Sequence, residues 1–209
     1  MVKEAYKFGA PPLLLGLGAL WLTWYLPAAI LIFVGWFVFY FFRDPERTPP
    51  ADLDAVVSPA DGRVVVIAEE PCAGEPGRRI SVFLSVWDVH VNRSPFAGTI
   101  RKIEYRPGKF YAALRQRASE ENEQNVFTVE TDRGLLRFKQ IAGWIARRVV
   151  SWKEPGNAVR TGERIGMIRF GSRMDVWLPR EAEIVVKKGQ FVSAGSSVLA
   201  RWPARKVSS

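Results

Sequence analysis

Arg164-Ile165-Gly166-Met167-Ile168-Arg169-Phe170-Gly171-Ser172-Arg173-Met174-Asp175-Val176-Trp177-Leu178-Pro179 carries two alternating runs, 165–170 and 174–178, on either side of a Gly-Ser pair. Alternation of this kind is the period of a β-strand. The plain reading of Gly171-Ser172 is a bend between strands. The same dipeptide permits a rarer chemistry where its backbone is strained. The Ser172 hydroxyl attacks the Gly171 carbonyl to form an oxyester, and β-elimination then breaks the chain. The resulting dehydroalanine hydrolyses to a pyruvoyl group capping the new amino end. Glycine suits the acyl side because, lacking a Cβ, it tolerates strained angles. Serine suits the other side because its β-oxygen both attacks and leaves. The dipeptide alone leaves both readings open.

Working outward, the flanking chain reads as mostly β. Residues 56–68 (VVSPADGRVVVIA) give strand, turn, strand, and 80–92 (ISVFLSVWDVHVN) give one long apolar strand region ending in polar residues. Further strands are expected at 99–105, 125–131 and 135–141, and a short helix within 112–123. Val159-x-x-Gly162-x-x-Ile165 echoes Val186-x-x-Gly189-x-x-Val192-x-x-Gly195. Both place a turn glycine between short strands, as in barrels and hammerhead sandwiches of the lipoyl and biotinyl type.

Residues 8–42 contain no charge. One straight helix of that length would reach roughly 52 Å, against a hydrocarbon core of about 30 Å. Pro27 near its middle would break it, so a transmembrane or re-entrant helical hairpin over 1–42 is expected. Lys3 and Lys7 before it and Arg43 and Arg47 after it favour both ends on the cytoplasmic side of a cell membrane. The rival is one spanning helix over 20–42 with the amino end outside. The apolar stretch is too long for a cleaved signal peptide. Residues 43–54 (RDPERTPPADLD) form a linker, leaving 55–209 as the β-rich domain. From residue 43 onward, 28 basic residues face 20 acidic ones, a net +8 that suits an anionic lipid surface.

One cysteine, Cys72, excludes an intramolecular disulfide and offers no zinc cluster; no metal is expected. One histidine, His90, excludes any mechanism needing two imidazoles. An unperturbed imidazole titrates near neutrality, which makes it usable as acid and base, although a lone histidine is as readily structural. Asp61, in Ser58-Pro59-Ala60-Asp61-Gly62, is an ordinary turn residue, yet an aspartate orienting an imidazole beside a serine makes a base-activated hydroxyl.

The apolar hairpin, Ser58-Pro59-Ala60-Asp61-Gly62, Trp87-Asp88-Val89-His90-Val91-Asn92-Arg93-Ser94-Pro95, Gln140-Ile141-Ala142-Gly143-Trp144-Ile145-Ala146-Arg147-Arg148 and Arg169-Phe170-Gly171-Ser172-Arg173 follow one another in an order that resembles the phosphatidylserine decarboxylase family, in its short, pyruvoyl-dependent form. The resemblance runs over 13–199. It implies that Gly171–Ser172 is a self-cleavage bond, that Ser172 becomes the pyruvoyl group, and that Asp61 and His90 complete a triad with it. It implies a zymogen maturing into a heterodimer of chains 1–171 and 172–209. It also implies a Schiff base with the serine headgroup of phosphatidylserine, giving phosphatidylethanolamine and CO₂ without pyridoxal phosphate. Arg147, Arg148 or Arg173 are candidates for the substrate phosphate or carboxylate. The chain departs from the long form, which has two histidines three residues apart: His90 matches the first and Arg93 stands in place of the second.

The competing reading is a non-enzymatic membrane-anchored lipoyl-like β-domain, an adaptor or a carrier. Its modifiable lysine would have to come from Lys187-Lys188-Gly189, which lacks the usual flanking residues. Nucleic acid is not expected as a partner, because aromatic and basic residues do not interleave in any recognisable module.

Overall fold

The structure is a computed structural model and describes all residues except 72–73, 115–116, 145–147, 170 and 204–209. The chain divides into two compact units, Met1–Glu46 and Arg47–Ser209.

In the first unit, α1 (Lys3–Trp21) and α2 (Tyr25–Phe41) run antiparallel. Tyr6 meets Phe39 edge-on at 5.7 Å between ring centroids, and Phe8 stacks on Phe42 at 6.2 Å. The chain reverses at 22–24, where Thr23 takes φ 60°, rather than at Pro27. Pro27 lies in the first turn of α2, where a backbone N–H has no intrahelical acceptor and its loss is harmless. Pro11 and Pro12 are accommodated inside α1. At 1.5 Å per residue, α2 is about 26 Å long. Among the described residues, no helix is long and apolar enough to cross a membrane.

The second unit is mainly β. Its strands are β1 (Ala55–Val57), β2 (Gly62–Glu69), β3 (Gly77–Leu84), β4 (Val91–Arg93), β5 (Gly98–Arg106), β6 (Gln124–Thr131) and β7 (Gly134–Ile141). They continue as β8 (Val149–Ser151), β9 (Ala158–Val159), β10 (Arg164–Ile168), β11 (Ser172–Pro179), β12 (Glu183–Ile184), β13 (Phe191–Val192) and β14 (Val198–Arg201). One short helix, α3 (Ala118–Glu121), precedes β6. A curled eight-stranded sheet runs β13-β2-β3-β11-β7-β6-β5-β9, and two three-stranded sheets, β4-β10-β8 and β1-β14-β12, complete the unit.

The two runs of the opening stretch therefore do not pair with each other. β10 pairs with β4 and β8, whereas β11 pairs with β3 and β7. β10 ends at Ile168 in one sheet, and Ser172 is the first residue of β11 in the other. Side chains alternate across a strand, so Ser172 shares its face with Met174, Val176 and Leu178. Those three lie in the apolar core with Ile80, Val82, Leu84, Phe127 and Phe138.

The opposite face of β11 is also covered, which an alternating pattern does not announce. Arg173 Nε lies 2.8 Å from Asp175 Oδ1, Ser119 Oγ donates to Asp175 Oδ2 at 2.7 Å, and Arg79 Nη1 lies 3.5 Å from the same oxygen. Asp175 is fully buried and Arg173 nearly so. Removing one partner of a buried pair leaves an uncompensated charge and costs about 3–5 kcal/mol. The arrangement thus fixes the start of β11 from behind. Beside it, Lys139 Nζ lies 4.9 Å from the Trp177 ring centroid. Burial pushes this ammonium below its ordinary range, and the Asp175 carboxylate pulls against that shift.

Candidate active site

Three strands bring the sequence's candidate residues to one end of the curled sheet. Ser172 pairs with Leu84, and on the other side of β3, Arg63 pairs with Phe83. Gly62 therefore packs beside Leu84, two strands from Ser172, and Asp61 immediately precedes it. Beyond Leu84 the chain turns through 85–90, the loop that carries His90. A common sheet end thus collects Asp61, His90 and Ser172, from segments far apart in sequence.

The expected single strand over 80–92 is interrupted by that loop, and the cause is Asp88. Its Oδ2 accepts from Ser85 N at 2.7 Å, while Asp88 N donates to Ser85 O at 3.1 Å. A side chain that satisfies a backbone donor locally competes with the sheet ladder. The turn delivers His90, 1% exposed, to the position just before β4, where its carbonyl accepts from Ile168 N at 3.3 Å. Ile168 ends β10, four residues before Ser172. His90 Nδ1 lies 2.9 Å from Asp88 O. A carbonyl only accepts, so Nδ1 carries the proton and Nε2 is the basic nitrogen of the neutral ring.

At Nδ1 the acceptor is the Asp88 carbonyl. Asp61 accepts from Arg47 Nη2 at 2.8 Å and from Ala194 N at 2.7 Å. It thereby ties its turn to the 193–197 segment. Arg93, in the second-histidine position of the long form, is buried and donates from Nη1 to Gly162 O at 3.0 Å. A guanidinium stays protonated in proteins, so Arg93 is no base.

Ser172 is fully buried, and its Oγ has no hydrogen-bond partner among the described residues. Leaving a buried hydroxyl unsatisfied costs about 1–3 kcal/mol. Gly171 adopts φ +44°, a left-handed backbone that disfavours any residue with a Cβ. Its carbonyl is cradled against Gly143: a Cβ built on residue 143 would lie 1.7 Å from Gly171 O. The bond in question therefore has a glycine in a glycine-requiring conformation, a carbonyl in a fitted niche, and a neighbouring hydroxyl held dry and unengaged.

Of the arginines expected to meet substrate, Arg173 is occupied. Its guanidinium binds Asp175, donates to Ala113 O at 3.1 Å and contacts Ser119 Oγ. Arg148 is exposed, and its carbonyl accepts from Arg169 N at 3.3 Å, just past the end of β10. Arg147 lies outside the described residues. Sequence reasoning missed the Asp88 carbonyl and Gly143. Gly143 stood in plain view in Ile141-Ala142-Gly143-Trp144, but nothing local says that its partner is 28 residues away.

A sequence model of the family described as phosphatidylserine decarboxylase matches residues 34–200. The chain is 54% identical over 186 residues to a protein of Solibacter usitatus, covering 89% of each chain. It is 45% identical over 209 residues to one of Magnetococcus marinus, covering 96% of this chain and 94% of that one. A Salinibacter ruber protein is 53% identical over 196 residues, with 89% and 86% covered. Each of the three is named phosphatidylserine decarboxylase proenzyme. With the family's model spanning most of the chain and such relatives matching nearly end to end, this chain belongs to the phosphatidylserine decarboxylase family.

Proposed function

We propose that the chain is a proenzyme that cleaves itself between Gly171 and Ser172 and then decarboxylates phosphatidylserine to phosphatidylethanolamine and CO₂. The observation that carries this reading is the buried Ser172 Oγ, unengaged beside a left-handed Gly171, in a chain of this family. The non-enzymatic β-domain is not favoured.

In the cleavage, Ser172 Oγ gives its proton to His90 Nε2 and adds to the Gly171 carbonyl carbon. The Gly171–Ser172 C–N bond breaks, the proton passes to the nitrogen, and an ester remains. Loss of the Ser172 α-proton breaks the Cβ–O bond and releases the Gly171 carboxylate. One water then hydrolyses the resulting enamine, through its imine form, to a ketone and ammonia. The pyruvoyl group so made supplies the electron sink that loss of CO₂ from an α-amino acid needs, without pyridoxal phosphate. The niche fits that group, since Ser172 is dry and already free of competing hydrogen bonds. His90 holds and returns the proton at the reacting carbon, its ring oriented through Asp88 O. Asp61 is the carboxylate of the triad, its turn held at the same sheet end by Ala194 N. Arg148, exposed beside Arg169, is our choice for the headgroup phosphate. The products 1–171 and 172–209 stay together as a heterodimer, because β11 remains laddered to β3 and β7.

The activity is tested by incubating the purified protein with carboxyl-labelled phosphatidylserine in mixed micelles. Labelled CO₂ is expected, unaffected by stripping pyridoxal phosphate and abolished by borohydride added with substrate. Turnover that depends on added pyridoxal phosphate would contradict the reading.

We also place the protein at the cytoplasmic face of the cell membrane through its hairpin, as a re-entrant rather than spanning element. The hairpin turn exposes Trp21 (85%), Trp24 (62%) and Leu26 (73%). Trp is enriched at membrane–water interfaces, and the basic excess from residue 43 onward suits anionic lipid. The apolar core of the second unit draws on residues from Val56 to Trp202. Deleting residues 1–46 is therefore expected to leave a cooperatively folded domain that sediments more weakly with anionic vesicles. A truncated chain that sediments as before would remove the hairpin as anchor. The lipoyl-type echo gains support from its two aligned turn glycines, Gly162 and Gly189, which both take positive φ, 75° and 88°.

A further inference from the structure

We propose that Gly143 is a positioning residue for self-cleavage: the absence of its side chain is the space into which the Gly171 carbonyl is turned. The inference rests on the cleavage reading above and adds to it the element that sets the orientation of the bond.

Ile141 pairs with Arg173 at the end of the β7–β11 ladder. Continuing that antiparallel register puts Ala142 opposite Ser172 and Gly143 opposite Gly171. The approach is close enough that a Cβ on residue 143 would sit 1.7 Å from Gly171 O and 2.9 Å from Gly171 C. A hydrogen on the Gly143 α-carbon then points at the Gly171 oxygen, a Cα–H···O contact.

Gly143 is not among the glycines with positive φ. Its backbone conformation is open to alanine, and what excludes a methyl group there is the oxygen of Gly171. That separates Gly143 from Gly171, where φ +44° itself requires glycine.

The strain of an added methyl would fall largely on the Gly171–Ser172 peptide, because residue 143 is tethered through Ala142. Ala142 N donates to Glu123 O at 2.9 Å, and Ala142 O accepts from Asn122 Nδ2 at 2.7 Å. Asn122 is locked in turn to both polar groups of the Tyr111 backbone, at 2.9 and 2.8 Å. On the far side, Ala113 Cβ stands 3.4 Å from the added methyl position. Ser172 is fixed in the ladder and by Arg173 beside it. The movable group is the carbonyl. Rotating it takes the carbonyl carbon out of line with Ser172 Oγ, and misplacement by about 1 Å costs an intramolecular attack on the order of 10²-fold.

The constraint applies only while the 171–172 bond exists. After cleavage, Gly171 is a chain end whose carboxylate can swing away from residue 143. Gly143→Ala should therefore slow maturation and spare the matured enzyme, a split that general destabilisation does not produce. Gly98→Ala is the control, since its Cβ would meet Glu130 O at 2.3 Å, a comparable clash outside the site.

The test measures three quantities for wild type, Gly143→Ala and Gly98→Ala in the full chain: cleavage rate by intact mass, thermal unfolding, and CO₂ released per titrated pyruvoyl group. Gly143→Ala is expected to cleave at least about 100-fold slower than wild type. The fraction that does mature should turn over within about twofold of wild type per pyruvoyl group. Gly98→Ala should lose stability yet cleave within a few-fold of the wild-type rate. Wild-type cleavage in Gly143→Ala would overturn the proposal. So would its failure to fold, equal slowing in Gly98→Ala, or a turnover per pyruvoyl group that falls with the cleavage rate. A wild-type chain that never cleaves would instead overturn the self-cleavage reading itself, a distinct result.

Discussion

Ser172→Ala is expected to remain a single 209-residue chain and to release no CO₂ from phosphatidylserine. Alanine has no oxygen to add to the Gly171 carbonyl and none to leave from Cβ, so neither step of the cleavage is possible. The loss should be complete rather than graded. Stability should not fall with it, because the hydroxyl removed is buried without a hydrogen bond. Replacing an unsatisfied buried hydroxyl by a hydrogen gains back part of the about 1–3 kcal/mol it costs. Inactivity with unchanged or slightly raised thermal stability is thus the signature. Ser172→Cys should cleave slowly, since sulfur can also perform the acyl shift. A Ser172→Ala protein that still splits at residue 171, measured by denaturing electrophoresis and mass, would take Ser172 out of the chemistry.

His90→Asn should slow self-cleavage by about 10²–10⁴-fold, the range that general-base catalysis supplies. The chain has no second imidazole to substitute. Asparagine is the informative replacement because its Nδ2 can donate to Asp88 O as His90 Nδ1 does. The loop over 85–90 is then kept while the basic nitrogen is lost. Asp61→Asn should be milder: it forfeits the Arg47 ion pair, but an amide oxygen can still accept from Ala194 N. Time courses of cleavage after refolding distinguish the two. Equal rates in His90→Asn and wild type would remove His90 from the mechanism.

The strands themselves were largely legible in the sequence, and the pairing of those with distant partners was not. β6 and β7 were read within a residue, because Asp132-Arg133-Gly134 joins two runs that pair with each other. The alternation in β10 and β11 identified both strands correctly, yet pairing is decided by chain far away, and the two lie in different sheets. The apolar run 80–92 hid a break because a turn closed by the Asp88 carboxylate has no apolar signature. Residues 112–123 have helix-forming composition, but among the described residues only Ala118–Glu121 is helical. Asn122 ends that turn, binding the Tyr111 backbone in both directions. At the site, Gly171, Ser172, His90 and Asp61 could be named from their motifs. Their support could not, since a backbone carbonyl and an absent Cβ have no residue-type signal.

Intact-mass measurement of the purified wild-type protein under denaturing conditions tests the central claim most directly. Two chains are predicted, 1–171 and a 38-residue piece, 172–209, that begins with a pyruvoyl group and so resists Edman degradation. A single unbroken chain of 209 residues that nonetheless decarboxylates phosphatidylserine would contradict the account.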